Sequence, residues 1–283
     1  PDVLVKGSRL RKGSSDWSAP FVLADTPDIP DLNPVFFVDA NQELWMFWIA
    51  VPAERWEDSI LRYRKSRDYS SEGAPIWYWQ DIIILKPGDD FPEWVARGLA
   101  TVRHEELDYG GYAASPVTSL VKAARDLSKR QRGWMPRNHV LRLPSGRLLL
   151  PLYSDGFYVG LMAISDDGGE TWQASSPIPG VALNQPSVVR KHDGTLVAYM
   201  RREGPIPPPR VQISTSSDDG QTWTVAADSD IPNPNASLEV VALRDGRWLM
   251  IYNDVERGRH SLALALSEDE GDTWRWKRRL EYT

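Results

Sequence analysis

Three polar side chains recur at one spacing in the second half of the chain. Tyr153, Arg201 and Asn253 each lie seven residues after a turn glycine that separates two β-rich runs. Equal spacing from equivalent turns predicts equivalent places at the ends of three strands, pointing toward one axis. An arginine beside a phenol and an amide suits a polar anionic ligand, because a guanidinium pairs with a carboxylate through two parallel hydrogen bonds.

A second polar set lies just before the strands that precede those turns. It consists of Arg137, Asn138 and His139, of Asn184 and Gln185, and of Asn235. Arg202 and Asp155 adjoin the strand-end positions, and we expect all of these residues to line one rim that binds an acidic sugar or glycan. Carboxylate pairs are scarce in this lining, so two-carboxylate glycosidase chemistry is disfavoured. Asp155 nevertheless lies close enough to supply one of the two carboxylates, so this chemistry stays open.

The composition narrows the choice of partners. The chain has 283 residues, with 33 Lys and Arg against 39 Asp and Glu, and a formal charge of −6. A mildly acidic chain without a basic block is poorly suited to nucleic acid. No apolar run reaches the ~20 residues of a membrane helix, so no membrane partner is expected. Cysteine is absent and histidine occurs four times, so we expect no disulfide, no metal site and no cofactor.

The elements that would position these side chains are repeated. The pattern S-x-D-x-G-x-T-W occurs three times, and its tryptophans are 51 residues apart both times. In each copy the aspartate, which is Asp167, Asp218 or Asp269, can accept hydrogen bonds from the turn backbone, and the glycine can take a positive φ. We therefore interpret these aspartates as structural, and the Thr-Trp pair as the start of the next strand.

Each repeat has the order strand, turn, strand, loop, strand, motif and strand. Four strands in about 50 residues are typical of one blade of a β-propeller. Weaker copies end near Trp17 and Trp77, and the gap between Trp77 and Trp172 holds one blade and an insertion. The insertion, around residues 91–132, is predicted to be helical because its apolar residues fall on one helix face. We predict that residues 1–283 form a single all-β domain of four-stranded antiparallel blades.

The repeated motif resembles the Asp-box, or BNR, repeat of the sialidase superfamily, and the resemblance covers most of the chain. It implies a six-bladed β-propeller. Further stretches, among them Asn33-Pro-Val, Arg137-Asn-His139 and Asn184-Gln-Pro-Ser187, are similar to a branch of neuraminidase-like proteins. The activity that the resemblance implies is that of an exo-acting glycoside hydrolase, which releases a terminal acidic sugar.

The resemblance also implies roles for individual positions. Sialidases hold the substrate carboxylate with three arginines, and Arg201 and Arg259 match the second and the third. The glutamate that assists a tyrosine nucleophile is matched by Gln185, whose amide cannot take a proton. Asp2 is the carboxylate nearest to the place of the acid/base. The nucleophilic tyrosine and the first arginine would lie outside residues 1–283, so we expect the terminal blade or blades to be incomplete.

Two other functions stay open at this point. A non-enzymatic carbohydrate-binding propeller would need no proton acceptor at Gln185. A polysaccharide lyase acting on uronates would place an arginine on the carboxylate and would use His139 and Tyr153 to move protons. The sequence does not fix the oligomeric state or the compartment, although a secreted or periplasmic location is favoured slightly over the cytoplasm.

Overall fold

The fold of the chain is almost entirely β-structure. The computed structural model describes residues 2–100, 117–180, 183–202 and 209–282. Within these ranges, antiparallel strands form a two-stranded ribbon and then four sheets in chain order, arranged as the blades of a propeller. The ribbon comprises β1 (Val5–Gly7) and β2 (Phe21–Ala24). The all-β class predicted from the sequence is therefore confirmed.

Each of the four sheets is an antiparallel meander. Blade 1 contains β3 (Asp31–Val38), β4 (Leu44–Ala50), β5 (Ile60–Ser66) and β6 (Trp79–Ile82). Blade 2 contains β7 (Met135–Pro136) and β8 (Leu141–Arg142), which share one strand position, then β9 (Leu148–Ser154), β10 (Val159–Ser165) and β11 (Gln173–Ala174). Blade 3 contains β12 (Leu183–Arg190), β13 (Leu196–Arg202), β14 (Arg210–Ser216) and β15 (Ala227–Pro232). Blade 4 contains β16 (Glu239–Ala242), β17 (Trp248–Asn253), β18 (Ser261–Ser267) and β19 (Trp276–Tyr282).

The number of blades differs from the prediction. The resemblance implies six, whereas the described residues form four blades and the ribbon, so the count of six is wrong for this part of the chain. Each of the four blades takes up about 50 residues, and the helical insertion occupies the stretch between blades 1 and 2. The weak motif copy that ends at Trp17 forms a single β-bridge to Leu10, and Trp17 stays 65% exposed.

A helical insertion separates blades 1 and 2, in the range that the sequence predicts. It contains α1 (Phe91–Ala100), α2 (Val117–Arg125) and α3 (Leu127–Arg130), while residues 101–116 lie outside the described ranges. Two 3₁₀ segments, Pro52–Glu54 and Trp56–Asp58, join β4 to β5. Phe91 packs edge-on against Phe157, so the insertion is anchored on the loop between β9 and β10. No helix in the described ranges is long and apolar enough to cross a bilayer.

The hydrophobic core lies between successive blades. Separate clusters of buried side chains join the ribbon to blade 1, blade 1 to blade 2, blade 2 to blade 3, and blade 3 to blade 4. Strand β9 is buried along its whole length because neighbouring blades cover both of its faces. Strand β18 instead alternates buried with half-buried residues, as expected for a strand with one covered face.

One end of the molecule, which we name the turn end, carries the three Asp-box turns. In blade 2, Asp167 accepts hydrogen bonds from Ser165 Oγ (2.8 Å), Thr171 N (2.9 Å) and Thr171 Oγ1 (2.5 Å). The same three bonds recur at Asp218 and at Asp269. The hydroxyl and backbone amide of Thr171 lower the pKa of Asp167 to about 2, and equivalent bonds lower the pKa of Asp269 to about 2.

Each Asp-box turn docks on the blade before it. The turn glycine of blade 2, Gly169, has a φ of 94° and lies against Trp45 in blade 1, so an added methyl group would clash with the indole. Gly271 of blade 4 has a φ of 88° and lies in the same way against Tyr199 in blade 3. Glycine is required at these positions because both the backbone angle and the lack of space exclude other residues. The turns therefore fix the spacing between blades.

Candidate functional site

The second strand of each blade runs from the turn end to the opposite end, which we name the pocket end. Tyr153 and Arg201 are the next-to-last residues of β9 and β13, and Asn253 is the last residue of β17. The structure thus places all three at equivalent strand ends, as their spacing indicates. The loops after β9 and β17 connect second to third strands at the pocket end.

Asn33 and Gln185, each the third residue of a first strand, share an unusual backbone conformation with Asn235, which precedes β16. Asn33, Gln185 and Asn235 have φ values of 53°, 56° and 59°. This left-handed conformation is unfavourable for residues other than glycine, and least so for asparagine. The strand register also slips by one residue at Asn33 and at Gln185. Such bulges redirect side chains next to functional sites, and here they turn the amides of Asn33 and Gln185 toward Tyr153.

The phenol of Tyr153 is contacted by two of these amides. Its oxygen accepts hydrogen bonds from Asn33 Nδ2 at 3.1 Å and from Gln185 Nε2 at 3.4 Å. Burial raises the pKa of Tyr153 and the negative charge of Asp155 adds to the rise, which together outweigh the opposite effect of the two amides and Arg201. The phenol therefore stays protonated at neutral pH, and its own O–H can be donated to a ligand.

Arg201 and Arg259 converge on the third amide residue, Asn235. Arg201 Nη1 donates to Asn235 O at 3.3 Å and to Asn235 Oδ1 at 3.0 Å, and Arg259 Nη2 donates to Asn235 O at 2.6 Å. Because both guanidiniums bond to one carbonyl oxygen, they are close enough for a single anion to contact both. Neither has a carboxylate partner within the described ranges, so their positive charges are left without a counter-charge there.

Arg137 and Asp155 lie at the margin of this group. The exposed Arg137 donates from Nη1 to Asn33 Oδ1 at 3.5 Å, which links it to Tyr153 through Asn33. Asp155 is half-buried and accepts a hydrogen bond from Asn184 Nδ2 at 3.4 Å. In the part of the chain that the structure describes, no three His, Asp or Glu side chains are grouped as metal ligands would be.

Two buried polar atoms of the site lack a hydrogen-bond partner among the described residues. They are Gln185 Oε1 and Arg201 Nε. An unpaired buried donor or acceptor costs about 1–3 kcal/mol, and such groups are uncommon in native proteins unless water, an ion or a ligand completes them. A ligand that completes this site would offer an N–H or O–H donor to Gln185 and an acceptor to Arg201.

Asn138 and His139 connect the first strands of three blades. Asn138 Nδ2 donates to the carbonyl oxygen of Gln185 at 2.8 Å. The His139 ring places Nδ1 2.9 Å from Glu239 Oε1, and the His139 backbone N–H donates to Glu239 Oε2 at 3.2 Å. His139 therefore bonds from blade 2 to the start of blade 4.

Three of the predicted residues are not brought into the group around Tyr153 and the arginines. Arg202 follows Arg201 in a strand and points to the opposite face, where it pairs with Asp228 at 2.9 Å. Asn253 Nδ2 donates to Ser261 O at 2.9 Å and so braces its own hairpin. Asp2 is exposed, and none of its described contacts leads to Tyr153.

Two residues of the site received no role from the sequence. Asn33 stands before a proline, as Gln185 does, and that shared Asn-Pro and Gln-Pro position was a usable signal. Glu239 is the one charged residue in the run Ala-Ser-Leu-Glu-Val-Val at 236–241, which singles it out in an otherwise apolar strand. Its contact with His139, 100 residues away, has no local signature.

Sequence comparison matches most of the chain to one family. A profile of the BNR repeat-like domain matches residues 1–102 and 125–283. A sialidase of Vibrio cholerae serotype O1 is 27% identical over 165 residues, which are 46% of this chain and 21% of that sialidase. The chain therefore matches about a fifth of the length of this relative.

Solved structures share the fold at low sequence identity. The Hadza microbial sialidase Hz136 is 16% identical with a TM-score of 0.66, over 98% of this chain and 52% of that one. The intramolecular trans-sialidase from Ruminococcus gnavus, solved in complex with oseltamivir carboxylate, is 11% identical with a TM-score of 0.64, over 97% of this chain and 77% of that one. Similarity at this level shows a common fold. Together with the profile match and the three Asp-box turns, it places the chain in the BNR repeat-like domain family of the sialidase superfamily.

Proposed function

We propose that the protein is an exo-acting glycoside hydrolase of sialidase type, which releases a terminal acidic sugar held through its carboxylate. The observation that carries this proposal is the convergence of Arg201 and Arg259 on Asn235. Two guanidiniums at one oxygen, with no carboxylate partner in the described ranges, leave positive charge for an anion from solution. Guanidiniums stay charged at any working pH and match the planar geometry of a carboxylate.

Asn235 prepares the two arginines for such a ligand. Its neutral oxygens hold both guanidiniums without cancelling their charge. An anion that replaces or joins these bonds would not have to order two long side chains, which lowers the entropic cost of binding. Arg137, held through Asn33, would add a third positive charge near Tyr153.

Tyr153 and Gln185 are suited to binding the sugar. The raised pKa of Tyr153 makes its phenol a poor nucleophile and a poor base but keeps its O–H available as a donor. The unpaired Oε1 of Gln185 would accept a hydrogen bond from a hydroxyl or amide N–H of the sugar. An acidic sugar that also carries hydroxyl or amide donors fits both requirements.

The proton donor and the nucleophile of this reaction rest on resemblance. The resemblance implies an acid/base carboxylate, for which Asp2 is the nearest candidate, and a tyrosine nucleophile assisted from the position of Gln185. The similarity to the Vibrio cholerae sialidase supports a hydrolytic activity. The Ruminococcus gnavus trans-sialidase, which shares the fold, was solved with oseltamivir carboxylate, and this supports a ligand of that charge.

A carbohydrate-binding propeller without enzymatic activity is the second candidate. The observation that favours it is the surroundings of the Tyr153 phenol, which is hydrogen-bonded by two neutral amides, Asn33 and Gln185. An amide cannot accept the proton of a nucleophilic tyrosine. Such a protein would hold the same acidic sugar at the same arginines and would not cleave it.

Analysis of products separates these functions. The protein is incubated with a fluorogenic aryl sialoside and, separately, with a uronate polymer, and binding of free sialic acid is measured by calorimetry. Release of free sialic acid supports the hydrolase. Binding without release would move the assignment to the binding propeller, and an unsaturated uronate product would move it to a lyase. A protein that neither binds nor releases an acidic sugar would contradict the anion site itself.

A further inference from the structure

The loop that carries Arg259 is attached to the neighbouring blade by an ion pair. This loop, residues 254–260, joins β17 to β18 and belongs to no strand. Arg210, the first residue of β14 in blade 3, donates a hydrogen bond from Nη1 to Glu256 Oε1 at 2.6 Å. The side chain of Arg210 is 24% exposed and that of Glu256 is 54% exposed. The pair therefore joins blade 3 to the loop, three residues before Arg259.

The base of the loop is held within blade 4. Asn253 Nδ2 donates to Arg259 O at 3.4 Å, across the opening of the loop. Asp254, the first residue of the loop, accepts a hydrogen bond from Tyr252 Oη at 2.8 Å. These bonds fix where the loop begins and ends on its own hairpin. Its position relative to blade 3 depends instead on the ion pair and on the hydrogen bond from Arg259 to Asn235.

The same segment of blade 3 also anchors the turn that presents Asn235. The carbonyl oxygen of Pro209 accepts hydrogen bonds from Asn233 N at 3.0 Å and from Arg210 Nη1 at 3.1 Å. The buried side chain of Asn233 closes the turn through two hydrogen bonds with the backbone of Ala236. One carbonyl oxygen is thus shared by the turn that holds both guanidiniums and by the arginine that holds the loop.

We propose that Arg210 and Glu256 are positioning residues of the anion site. By tying the loop to blade 3, they hold the Arg259 guanidinium beside that of Arg201 before a ligand arrives. The inference rests on the proposed function, in which these two guanidiniums bind the carboxylate of an acidic sugar. Arg210 and Glu256 act through Arg259 and not on the ligand, because their charges are paired with each other.

The effect of this positioning on affinity has a definite sign. Arg259 is an exposed, long side chain, and ordering such a side chain when a ligand binds costs about two- to tenfold in affinity. With the loop already anchored, this ordering takes place during folding. Loss of the Glu256 carboxylate should therefore weaken anion binding. A purely electrostatic role predicts the opposite, because removal of a negative charge near two arginines would strengthen anion binding.

The test is calorimetric titration of Glu256→Ala with sialic acid. We expect the affinity to fall about two- to tenfold, with little change in thermal melting, because an ion pair with an exposed partner contributes little to stability. Glu256→Gln should keep most of the affinity, since its amide oxygen can still accept the hydrogen bond from Arg210. In an Arg259→Ala background, where NMR titration can follow the weaker binding, Glu256→Ala should have no further effect.

The chain offers a matched control in Asp245→Ala. Asp245 also pairs with an arginine of blade 3 or 4, namely Arg247 at 2.6 Å, but this pair lies in the β16–β17 turn at the turn end. We expect wild-type affinity for this variant. Unchanged or stronger binding by folded Glu256→Ala, or an equal loss in the Arg259→Ala background, would overturn the positioning role and leave the proposed function intact. A wild-type protein that binds no sialic acid would overturn both.

Discussion

The turn end and the pocket end are built from the same strands but by opposite rules. At the turn end one set of contacts is repeated in three blades, and each bond of Asp167 spans at most four residues. At the pocket end the equivalent positions hold different side chains, and their contacts join distant parts of the chain, as between Asn33 and Tyr153, which are 120 residues apart. Repetition thus marks the end that maintains the fold, and departure from repetition marks the end that can recognise a ligand.

The largest effect should come from the arginines of the pocket end. In Arg201→Ala the remaining guanidinium loses its partner in holding the anion, and we expect the affinity for sialic acid to fall by about 2–5 kcal/mol. Arg201→Lys should lose most of this affinity as well, because an ammonium cannot reproduce a planar pair of hydrogen bonds. Calorimetric titration with sialic acid measures both.

The adjacent residue provides the control for this measurement. Arg202 has the same charge but faces Asp228 on the other side of the strand. Arg202→Ala should therefore bind sialic acid with nearly wild-type affinity. An equal loss in Arg201→Ala and Arg202→Ala would show that general positive charge, and not the geometry at Asn235, attracts the ligand.

The next largest effect concerns stability at the turn end. Asp218→Ala leaves the Thr222 backbone amide and the Ser216 and Thr222 hydroxyls without their acceptor, and we expect the free energy of unfolding to drop by roughly 1–3 kcal/mol. Urea unfolding measures the change, and Ser217→Ala in the same turn should have little effect. Sialic acid affinity per folded molecule should stay unchanged, and a loss of affinity would mean that the two ends are not separable.

A smaller effect is expected from pH. The folded-state pKa of Asp167 is about 2, below the value of about 3.9 for an unfolded aspartate. A depressed pKa contributes stability that is fully present above about pH 4 and is lost as the pH falls toward the folded value. The difference in urea midpoint between wild type and Asp167→Asn should therefore narrow as the pH falls from about 4 toward about 2. A constant difference would show that Asp167 does not titrate with folding.

The smallest change in stability is expected when glycine replaces a residue in the left-handed backbone conformation. Gln42 in the β3–β4 turn and Gln185 at the pocket end have φ values of 59° and 56°. Glycine accepts this conformation, so Gln42→Gly and Gln185→Gly should each change the free energy of unfolding by less than about 1 kcal/mol. Only Gln185→Gly should weaken sialic acid binding in calorimetry. Equal affinities in the two variants would remove Gln185 from the site.

The repeated features were the ones that the sequence could predict. The Asp-box period is enough to predict the blades, and a count from the turn glycine locates Tyr153 and Arg201, because a β-hairpin without bulges preserves register. The side to which Arg202 points depends on strand alternation, and the inward contacts of Asn33 and Glu239 depend on bulges and on residues about 100 or more positions away. The blade count of six came from resemblance alone, and the described residues form four blades and a ribbon.

The docking of each Asp-box turn on the blade before it has a consequence for the order of assembly. Gly169 packs against the indole of Trp45, and Gly271 packs against the hydroxyl of Tyr199, so each turn lies on a surface that comes earlier in the chain. During synthesis that earlier surface leaves the ribosome first, so each new turn can pack against a blade that has already emerged. The contacts between blades thus point backward along the chain, which lets the propeller grow blade by blade in the direction of translation.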